Sequence, residues 1–544
     1  MRETRFLQGG DEKDIAAETK PDDTSGLGTS CPKGAMTNAG WNAFFSFFDG
    51  VISFFLIPLL IHYLGVQQFG ILLLMWSITG ILGLANFGLG EATLRYVAYH
   101  YGDGNMSGVN RVLDSTVSFY VVVCTVLSVV VFAAAPTFVV LLKIPAGEHR
   151  LVGWLLRLSA LVFFLGTVSR AIGAIPMALQ RYDISSKVNI GQGIVRSVGY
   201  ILLVISKYGI LHLVIWDVVT CIGTLCVQSV VARNLLPGIK LMPSFSFKGL
   251  REIVSYSISS FLTYGFLVMY RESGKLALGT HLGPSSVAYL GTPDNVAQRI
   301  YGVIVSGSET LMPKFSANRD STVAQSLLLK GTWISLALSI LFFIPLAVFM
   351  PDFLRLWINP GFARESAAVG QLLALSIIPQ GAFVTAATFF RGTDKPWIVT
   401  IVIAFAGIGT LLFSVILIPA HGVLGAGYAY FVGSIPWLVG LFYGFYFMFG
   451  SSSVIPLMRF VGLPLLLAGV AFTFGIAIRG WFHEVNWFGL FALGGLFAGS
   501  IGLLLFGIDW VLGGESPSKQ LLERIHSVRQ IDALRRRINL LKAR

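Results

Sequence analysis

Apolar runs long enough to cross a bilayer recur along this chain from residue 40 almost to its C-terminus. Short polar, glycine or proline segments separate the runs, and each run is continuously apolar rather than alternating in polarity. A membrane-spanning helix needs about 20 residues. A backbone in lipid must pair within its own helix, or in a closed barrel whose strands alternate in polarity. The pattern therefore predicts an all-α polytopic membrane protein.

About fourteen transmembrane helices are predicted from the apolar runs between charged or Gly/Pro-containing loops. Their expected positions are residues 40–62, 70–94, 115–142, 151–179, 188–206, 210–232, 252–275, 284–311, 325–350, 366–390, 396–419, 422–449, 455–478 and 486–511.

Composition and charge support this class and add an orientation. Hydrophobic residues make up 55% of the chain and charged residues 12%, whereas soluble domains carry about 25% charged residues. On the fourteen-helix topology, loops on the same side as the two tails hold fourteen Lys and Arg residues, and the opposite loops hold six. The positive-inside rule then predicts that both termini are cytoplasmic. It also explains the net charge of +12 without a nucleic-acid partner.

The two ends of the chain differ from the rest. Residues 1–36 are polar and predict a disordered cytoplasmic tail. Residues 513–544 predict a basic amphipathic cytoplasmic helix, which lies on anionic lipid or meets a partner helix. A solvated tail is the alternative. The apolar positions that recur every three or four residues in this segment are Leu521, Ile525, Val528, Ile531, Leu534, Ile538 and Leu541.

Three short segments recur in the same order at nearly one spacing, which indicates an internal repeat. The offsets are 218, 211 and 213 residues. Two six-helix lobes are therefore predicted, at 37–235 and 236–450, with two additional transmembrane helices at 451–512. Because six is even, both lobes enter the membrane in the same orientation, so their pseudo-two-fold axis lies along the membrane normal. The matched pairs are His62-Tyr63-Leu64-Gly65 with His281-Leu282-Gly283, Arg181-Tyr182-Asp183 with Gly392-Thr393-Asp394, and Tyr208-Gly209-Ile210-Leu211 with His421-Gly422-Val423-Leu424.

The first hundred residues contain phrases typical of one transporter family. They are Pro58-Leu59-Leu60-Ile61-His62-Tyr63-Leu64-Gly65, then Phe69-Gly70, and Asn86-Phe87-Gly88-Leu89-Gly90 followed by Arg95-Tyr96-Val97-Ala98. The chain resembles the polysaccharide (O-antigen/exopolysaccharide) flippases of the multidrug/oligosaccharidyl-lipid/polysaccharide exporter superfamily, more loosely across residues 40 to 510.

This resemblance implies a substrate, a location and partners. The substrate is undecaprenyl-diphosphate-linked oligosaccharide, carried from the cytoplasmic to the periplasmic leaflet for O-antigen or exopolysaccharide biosynthesis. The location is the bacterial inner membrane. The expected partners are this lipid-linked oligosaccharide, membrane lipids and other polysaccharide assembly proteins.

Charged residues inside the predicted helices are candidates for substrate binding, because a charge in the bilayer is costly. On the seventh helix, Tyr256, Ser260, Arg271 and Lys275 share one face; on the eighth, Asn295, Arg299 and Glu309 lie on a polar stripe. These faces predict a cavity where cations hold a diphosphate. Arg170 and Arg196 are further candidates in the first lobe. Structural ion pairs, such as Glu272 with Lys275, are the alternative.

Three acidic residues are candidates for ion coupling. Asp49 lies in the middle of the first helix, where an unpaired carboxylate could bind a proton or sodium ion. A partner such as Arg299 would remove that need. Asp217 and Glu309 are the other two candidates.

Catalytic signatures are lacking in the sequence. Gly274-Lys275-Leu276 lacks the spacing of a phosphate-binding loop, and the histidines form no His-Glu-x-x-His pattern. The chain is therefore predicted not to be an enzyme and to need no cofactor or metal. Two functional alternatives remain: a cation-coupled small-molecule antiporter of the same superfamily, and a membrane glycan polymerase, which the short external loops disfavour.

Overall fold

The computed structural model describes residues 33–87, 89–237, 239, 247–318, 322–482 and 486–512. For residues 33–49, 86, 91–92, 247–260 and 508–512 it describes the backbone alone. The predicted N-terminal tail, apart from its last four residues, and the predicted amphipathic helix at 513–544 lie outside the described residues.

The first lobe consists of six α-helical stretches. The first, α1, holds the first two predicted spans, which a non-helical turn at Gly65 separates, and α3 to α6 correspond to the third to sixth spans. A 3-10 turn, Gly83–Asn86, lies between the first two helices. The helices are α1 Lys33–Leu82, α2 Leu89–Gly102, α3 Met106–Leu141, α4 His149–Ala178, α5 Tyr182–Ile205 and α6 Ile210–Leu235.

The second lobe and the additional helices follow in the same order as predicted. The additional part contains a π-helical turn, Met458–Gly462, between α15 and α16. The helices are α7 Phe247–Leu282, α8 Pro284–Glu309, α9 Met312–Ala317, α10 Thr322–Trp357, α11 Pro360–Gly392, α12 Pro396–His421, α13 Val423–Gly433, α14 Ile435–Phe449, α15 Val454–Leu457, α16 Leu463–Arg479 and α17 Trp487–Leu512.

Ten helical segments of the described chain are long and apolar enough to cross a membrane. Two of them, Gly50–Ala85 and Val423–Arg479, each contain two predicted spans. The polar helices α7 and α8 are not among the ten, although both exceed the length that a bilayer requires. With these two, the helices account for all fourteen predicted spans, and the all-α polytopic fold is confirmed.

The glycine turn after the first helix of each lobe supports the predicted repeat. Gly65 has φ 80° and ψ 164°, and Gly283 has φ 84° and ψ −178°. Both lie in a backbone region that is almost exclusive to glycine, because a Cβ atom would clash there. The same rare conformation therefore occurs at the position that the 218-residue offset relates, and the two lobes share one plan.

The predicted second span, 70–94, is wrong in one respect, because the helix is not continuous. α1 ends at Leu82, and the chain passes through the 3-10 turn and a left-handed residue, Phe87 with φ 45°, before α2 begins. Gly83, Gly88 and Gly90 lie in this stretch, and glycine weakens a helix through its backbone entropy. The predicted twelfth span is likewise divided, at Ser434 between α13 and α14.

Contacts between the lobes centre on the helices beside these glycine turns. α1 packs against α7 and α8, and α2 and α3 pack against α7. At the α1–α8 contact a side chain on Gly70 would collide with the backbone of Pro284. The additional helices α16 and α17 pack on α10, so they belong with the second lobe. The exact domain boundaries predicted from the sequence stay predictions.

Candidate functional site

A groove of about 580 Å³ lies between α1 of the first lobe and α8, α10 and α17 on the side of the second. Its walls are almost entirely apolar, and Phe55, Val303 and Phe491 on its rim are exposed. Trp357 stacks on Phe54 at a ring-centroid distance of 5.2 Å and donates a hydrogen bond from Nε1 to the Phe54 carbonyl oxygen over 2.9 Å. Because both the walls and the exposed rim are apolar, the groove suits a hydrocarbon chain.

The polar part of this groove is formed by two residues of α8, one turn apart. Arg299 donates from Nη2 to Oγ of Ser53 on α1 over 2.6 Å, which links the two lobes. Asn295 donates from Nδ2 to the carbonyl oxygen of Gly291 over 2.8 Å. Both side chains line the groove, as the predicted polar stripe on α8 requires. A guanidinium therefore lies at the border between an apolar groove and the lobe interface.

Three predicted site residues have side chains outside the described residues. Tyr256 and Ser260 lie on α7, and Asp49 lies on α1, directly before Gly50 of the groove lining. Their predicted roles stay predictions.

Lys275 is largely enclosed, with 12% of its side chain exposed, and two carboxylates hold it. Its Nζ atom lies 3.3 Å from Oε2 of Glu272 and 3.1 Å from Oδ2 of Asp294. A buried charge requires such partners, because desolvation is otherwise uncompensated. The arrangement favours the structural ion pair that the sequence left open for Lys275. Asp294, which completes the cluster from α8, was not among the predicted site residues.

Arg271 lies one turn before Lys275 and also faces α8. It donates from Nη2 to Oε1 of Gln298 over 3.0 Å, and its own carbonyl oxygen accepts from the Tyr430 hydroxyl over 2.7 Å. Arg271 and Lys275 thus meet the face of α8 that carries Asp294 and Gln298, whereas Arg299 faces α1. The single cationic cluster expected from helical spacing is divided between two faces of α8.

The first lobe contains two adjoining polar cavities between α1, α4, α5 and α6. Their volumes are about 220 Å³ and 430 Å³, and both are lined by Thr79, Val162, Gln192 and Cys221. In the smaller cavity Arg196 donates from Nε to Oδ1 of Asp217 over 2.7 Å, and the Tyr200 hydroxyl donates to Oδ2 over 2.7 Å. Asp217 is therefore fully engaged by an arginine and a tyrosine.

The larger cavity holds Arg170, which donates from Nη2 to Oγ1 of Thr167 over 2.9 Å. Side-chain amides of Asn189, Gln192 and Gln228 surround it, and Tyr264 of α7 closes it from the other lobe. These amides were missed by sequence reasoning that concentrated on charges. Asn189 and Gln192 precede Arg196 by seven and four residues, so the same helical-stripe rule identifies them.

The remaining candidate, Glu309, is the last residue of α8. Its Oε1 atom is 3.6 Å from Nη1 of Arg391, and both side chains are more than one-third exposed. The pair connects the ends of α8 and α11. Its position away from the groove and the first-lobe cavities weakens the case for ion coupling there.

The two-lobed arrangement of membrane-spanning helices is also found in solved structures. The inward closed conformation of the lipid II flippase MurJ is similar, with a TM-score of 0.67 and 14% identity over 86% of this chain and 98% of that chain. An inward-facing MATE family multidrug transporter of the MOP superfamily gives 0.63 and 14%, over 73% and 93%. The eukaryotic MATE transporter AtDTX14 gives 0.56 and 13%, over 78% and 99%. At these identities the likeness shows the fold.

The family is shown by the sequence model described as "Polysaccharide biosynthesis protein", which matches residues 35–319, just over half of the chain. The chain belongs to this family, and the family resemblance predicted from its first hundred residues is confirmed. No curated protein sequence matches the chain.

Proposed function

We propose that this protein is a flippase that moves undecaprenyl-diphosphate-linked oligosaccharide from the cytoplasmic to the periplasmic leaflet of the bacterial inner membrane, for O-antigen or exopolysaccharide biosynthesis. The observation that carries the proposal is the apolar groove with Arg299 at its polar part. A substrate with a long isoprenoid chain, a diphosphate and a glycan needs an apolar, a cationic and a polar surface in that order.

Each part of the substrate has a matching surface. The isoprenoid chain lies among the aromatic residues of the groove, where burial of apolar surface is favourable. The diphosphate meets Arg299, whose planar guanidinium matches phosphate oxygens and replaces the water that a charge loses in the bilayer. The glycan enters the first-lobe cavities, where Arg170 and the amides offer partners for hydroxyl groups.

The role of the other cations follows from their partners. Lys275 is neutralised by two carboxylates, so we assign it to holding α7 against α8 rather than to the diphosphate. Arg271 has a neutral amide partner in Gln298 and keeps its full positive charge as a second ligand for the substrate. Arg196 orders the smaller first-lobe cavity through Asp217.

The experiment measures flipping of lipid-linked oligosaccharide by the purified protein in proteoliposomes. Arg299→Gln is expected to reduce the rate at least tenfold, since a charge-assisted contact is lost, while Arg299→Lys retains part of it because the fork geometry is lost but the charge remains. Arg233→Gln, in the exposed last turn of α6, is the matched control and leaves the rate unchanged. Full flipping by folded Arg299→Gln protein contradicts the proposed role of Arg299.

A cation-coupled small-molecule antiporter is the second candidate, favoured by the similarity to MATE transporters and by the buried carboxylates Asp217 and Asp294. An antiporter releases its substrate when a proton or sodium gradient is applied. Gradient-driven efflux of small organic cations, together with no flipping of lipid-linked oligosaccharide, establishes the antiporter and excludes the flippase.

The orientation is part of the proposal, with both termini cytoplasmic and the α3–α4 loop periplasmic. Single cysteines at Ser516 and Ala146, placed in a cysteine-free background, are expected to differ in labelling by an impermeant reagent on intact cells. Ala146 is labelled and Ser516 is protected until the cells are opened. Labelling of Ser516 from outside contradicts the orientation.

A further inference from the structure

An intramembrane arginine outside the interlobe site remains without a role. Arg157 lies on α4, and its guanidinium carbon is 4.9 Å from the ring centroid of Phe132 on α3 and 5.2 Å from that of Trp154. Cation–π contacts attract the charge to the ring faces but supply no hydrogen-bond acceptor of the kind that the guanidinium N–H groups need. Among the described residues no carboxylate pairs with Arg157, and its buried Nε atom has no hydrogen-bond partner.

The guanidinium borders a groove of about 440 Å³ on the outer face of the first lobe, between α3 and α4. Its other lining residues are mainly apolar, and several of them, such as Val129, Phe132 and Leu161, are exposed. Because the surrounding helix surface is apolar, lipid rather than water faces this groove. It therefore offers an acyl chain a cleft and offers an anion a single fixed cation.

The depth of Arg157 matches the headgroup region of one leaflet. α4 has 30 residues, so it is about 45 Å long and exceeds a hydrocarbon core of about 30 Å by roughly 7 Å at each side when centred. Arg157 is the ninth residue of α4, about 12 Å from its start and roughly 5 Å below the hydrocarbon boundary. An arginine side chain at that depth reaches the phosphate layer.

In the second lobe, helices of the protein itself cover the surface that corresponds to this groove. α10, the repeat counterpart of α3, is packed on its outer side by α16 and α17. The main partners of α3 in the described chain are α2, α4 and α7, and none of them covers Val129 or Phe132. The first lobe therefore leaves to the membrane a face that the second lobe covers with its own helices.

We propose that the α3–α4 groove binds an anionic phospholipid of the leaflet at the start of α4, with its phosphate accepting hydrogen bonds from Arg157 and one acyl chain in the groove. The site is separate from the substrate groove between the lobes, since the two share no residue. On the proposed orientation this is the periplasmic leaflet.

The test titrates the full-length purified protein with dioleoyl phosphatidylglycerol and counts the lipids retained by native mass spectrometry. Wild type is expected to retain one lipid more tightly than the others, and Arg157→Gln is expected to weaken that lipid roughly tenfold. Arg157→Lys has an intermediate effect, because the charge remains without the fork. Arg150→Gln, exposed at the same end of α4, is the matched control and has no effect.

A second variant tests the groove without touching the charge. Leu161→Trp fills the groove beside an intact Arg157 and is expected to weaken the same lipid, which keeps the test decisive if Arg157→Gln protein does not fold. Wild-type retention of phosphatidylglycerol by folded Arg157→Gln or Leu161→Trp protein overturns the proposal. Displacement of the tight lipid by millimolar inorganic phosphate also overturns it, since the site would then recognise free phosphate.

Discussion

The two lobes repeat one plan, but their helices are packed to different degrees. In α10 and α11 of the second lobe, 61% and 83% of an apolar 18-residue stretch is buried inside the protein. The corresponding helices of the first lobe, α3 and α4, bury 28% and 39% of such a stretch. The difference arises because α16 and α17 cover α10, and α8, α13 and α14 cover α11. The first lobe instead contains two polar cavities and an uncovered outer groove.

The pairing of charged residues does not follow this division. Lys275 in the second lobe and Arg196 in the first are held by carboxylates, whereas Arg157 in the first lobe and Arg271 in the second contact aromatic or amide groups. A buried ion pair holds helices in place and has little charge left for a ligand. Cations beside cavities keep that capacity. The comparison teaches that the two copies of one unit differ in how far protein covers their helices, whereas both contain ion-paired cations and cations beside a groove or cavity.

The largest expected effect concerns Lys275. Lys275→Met leaves two buried carboxylates without their cation and is expected to lower the free energy of unfolding by about 3–5 kcal/mol. Arg170→Met in the first lobe removes a hydrogen bond to the Thr167 hydroxyl and is expected to cost less than about 1.5 kcal/mol. Thermal unfolding of the purified variants measures both. Adding Asp294→Asn to Lys275→Met is expected to restore part of the loss, and equal melting temperatures for the two single variants contradict the greater weight of the Lys275 ion pairs.

An intermediate effect is expected at the two glycine turns, where the lobes are alike. Gly65→Ala and Gly283→Ala each place a Cβ atom in a strained backbone region, at a cost of about 1–3 kcal/mol. A new Cβ atom meets nothing within 4 Å at Gly65 and only the Lys143 carbonyl oxygen, at 3.6 Å, at Gly283. The two variants should therefore lower the melting temperature by similar amounts. Gly147→Ala, in a turn with open space, is the control, and clearly unequal losses contradict the shared geometry.

The smallest effect is expected where the additional helices are joined to the second lobe. Arg479 at the end of α16 donates from Nε to Oδ2 of Asp352 on α10 over 2.6 Å. Because the arginine is partly exposed, Arg479→Gln is expected to cost about 1 kcal/mol. Proteolysis of the α16–α17 loop should become faster in this variant, while cleavage elsewhere stays the same. An unchanged loop cleavage rate shows that apolar packing on α10 is sufficient.

Most of the fold could be predicted because the bilayer imposes local rules. Lipid requires helices of about 20 residues whatever their neighbours are, and the glycine turns at Gly65 and Gly283 are recognisable from adjacent residues. The break after Leu82 was missed because glycine is tolerated in many membrane helices. Whether it interrupts a helix depends on what the neighbouring helices contact.

The candidate site was less predictable, because helical spacing assigns residues to faces but does not say what each face meets. Spacing placed Asn295 and Arg299 on one stripe of α8, and both do line one groove. It could not show that Lys275 meets Asp294 while Arg299 meets Ser53, because those contacts join helices whose relative rotation is set by packing. Amino-acid order alone was enough for the number, position and repetition of the helices, since these depend on local hydrophobicity. The partners of each buried charge depend on long-range packing, and only the folded arrangement reveals which cations are neutralised and which remain for a ligand.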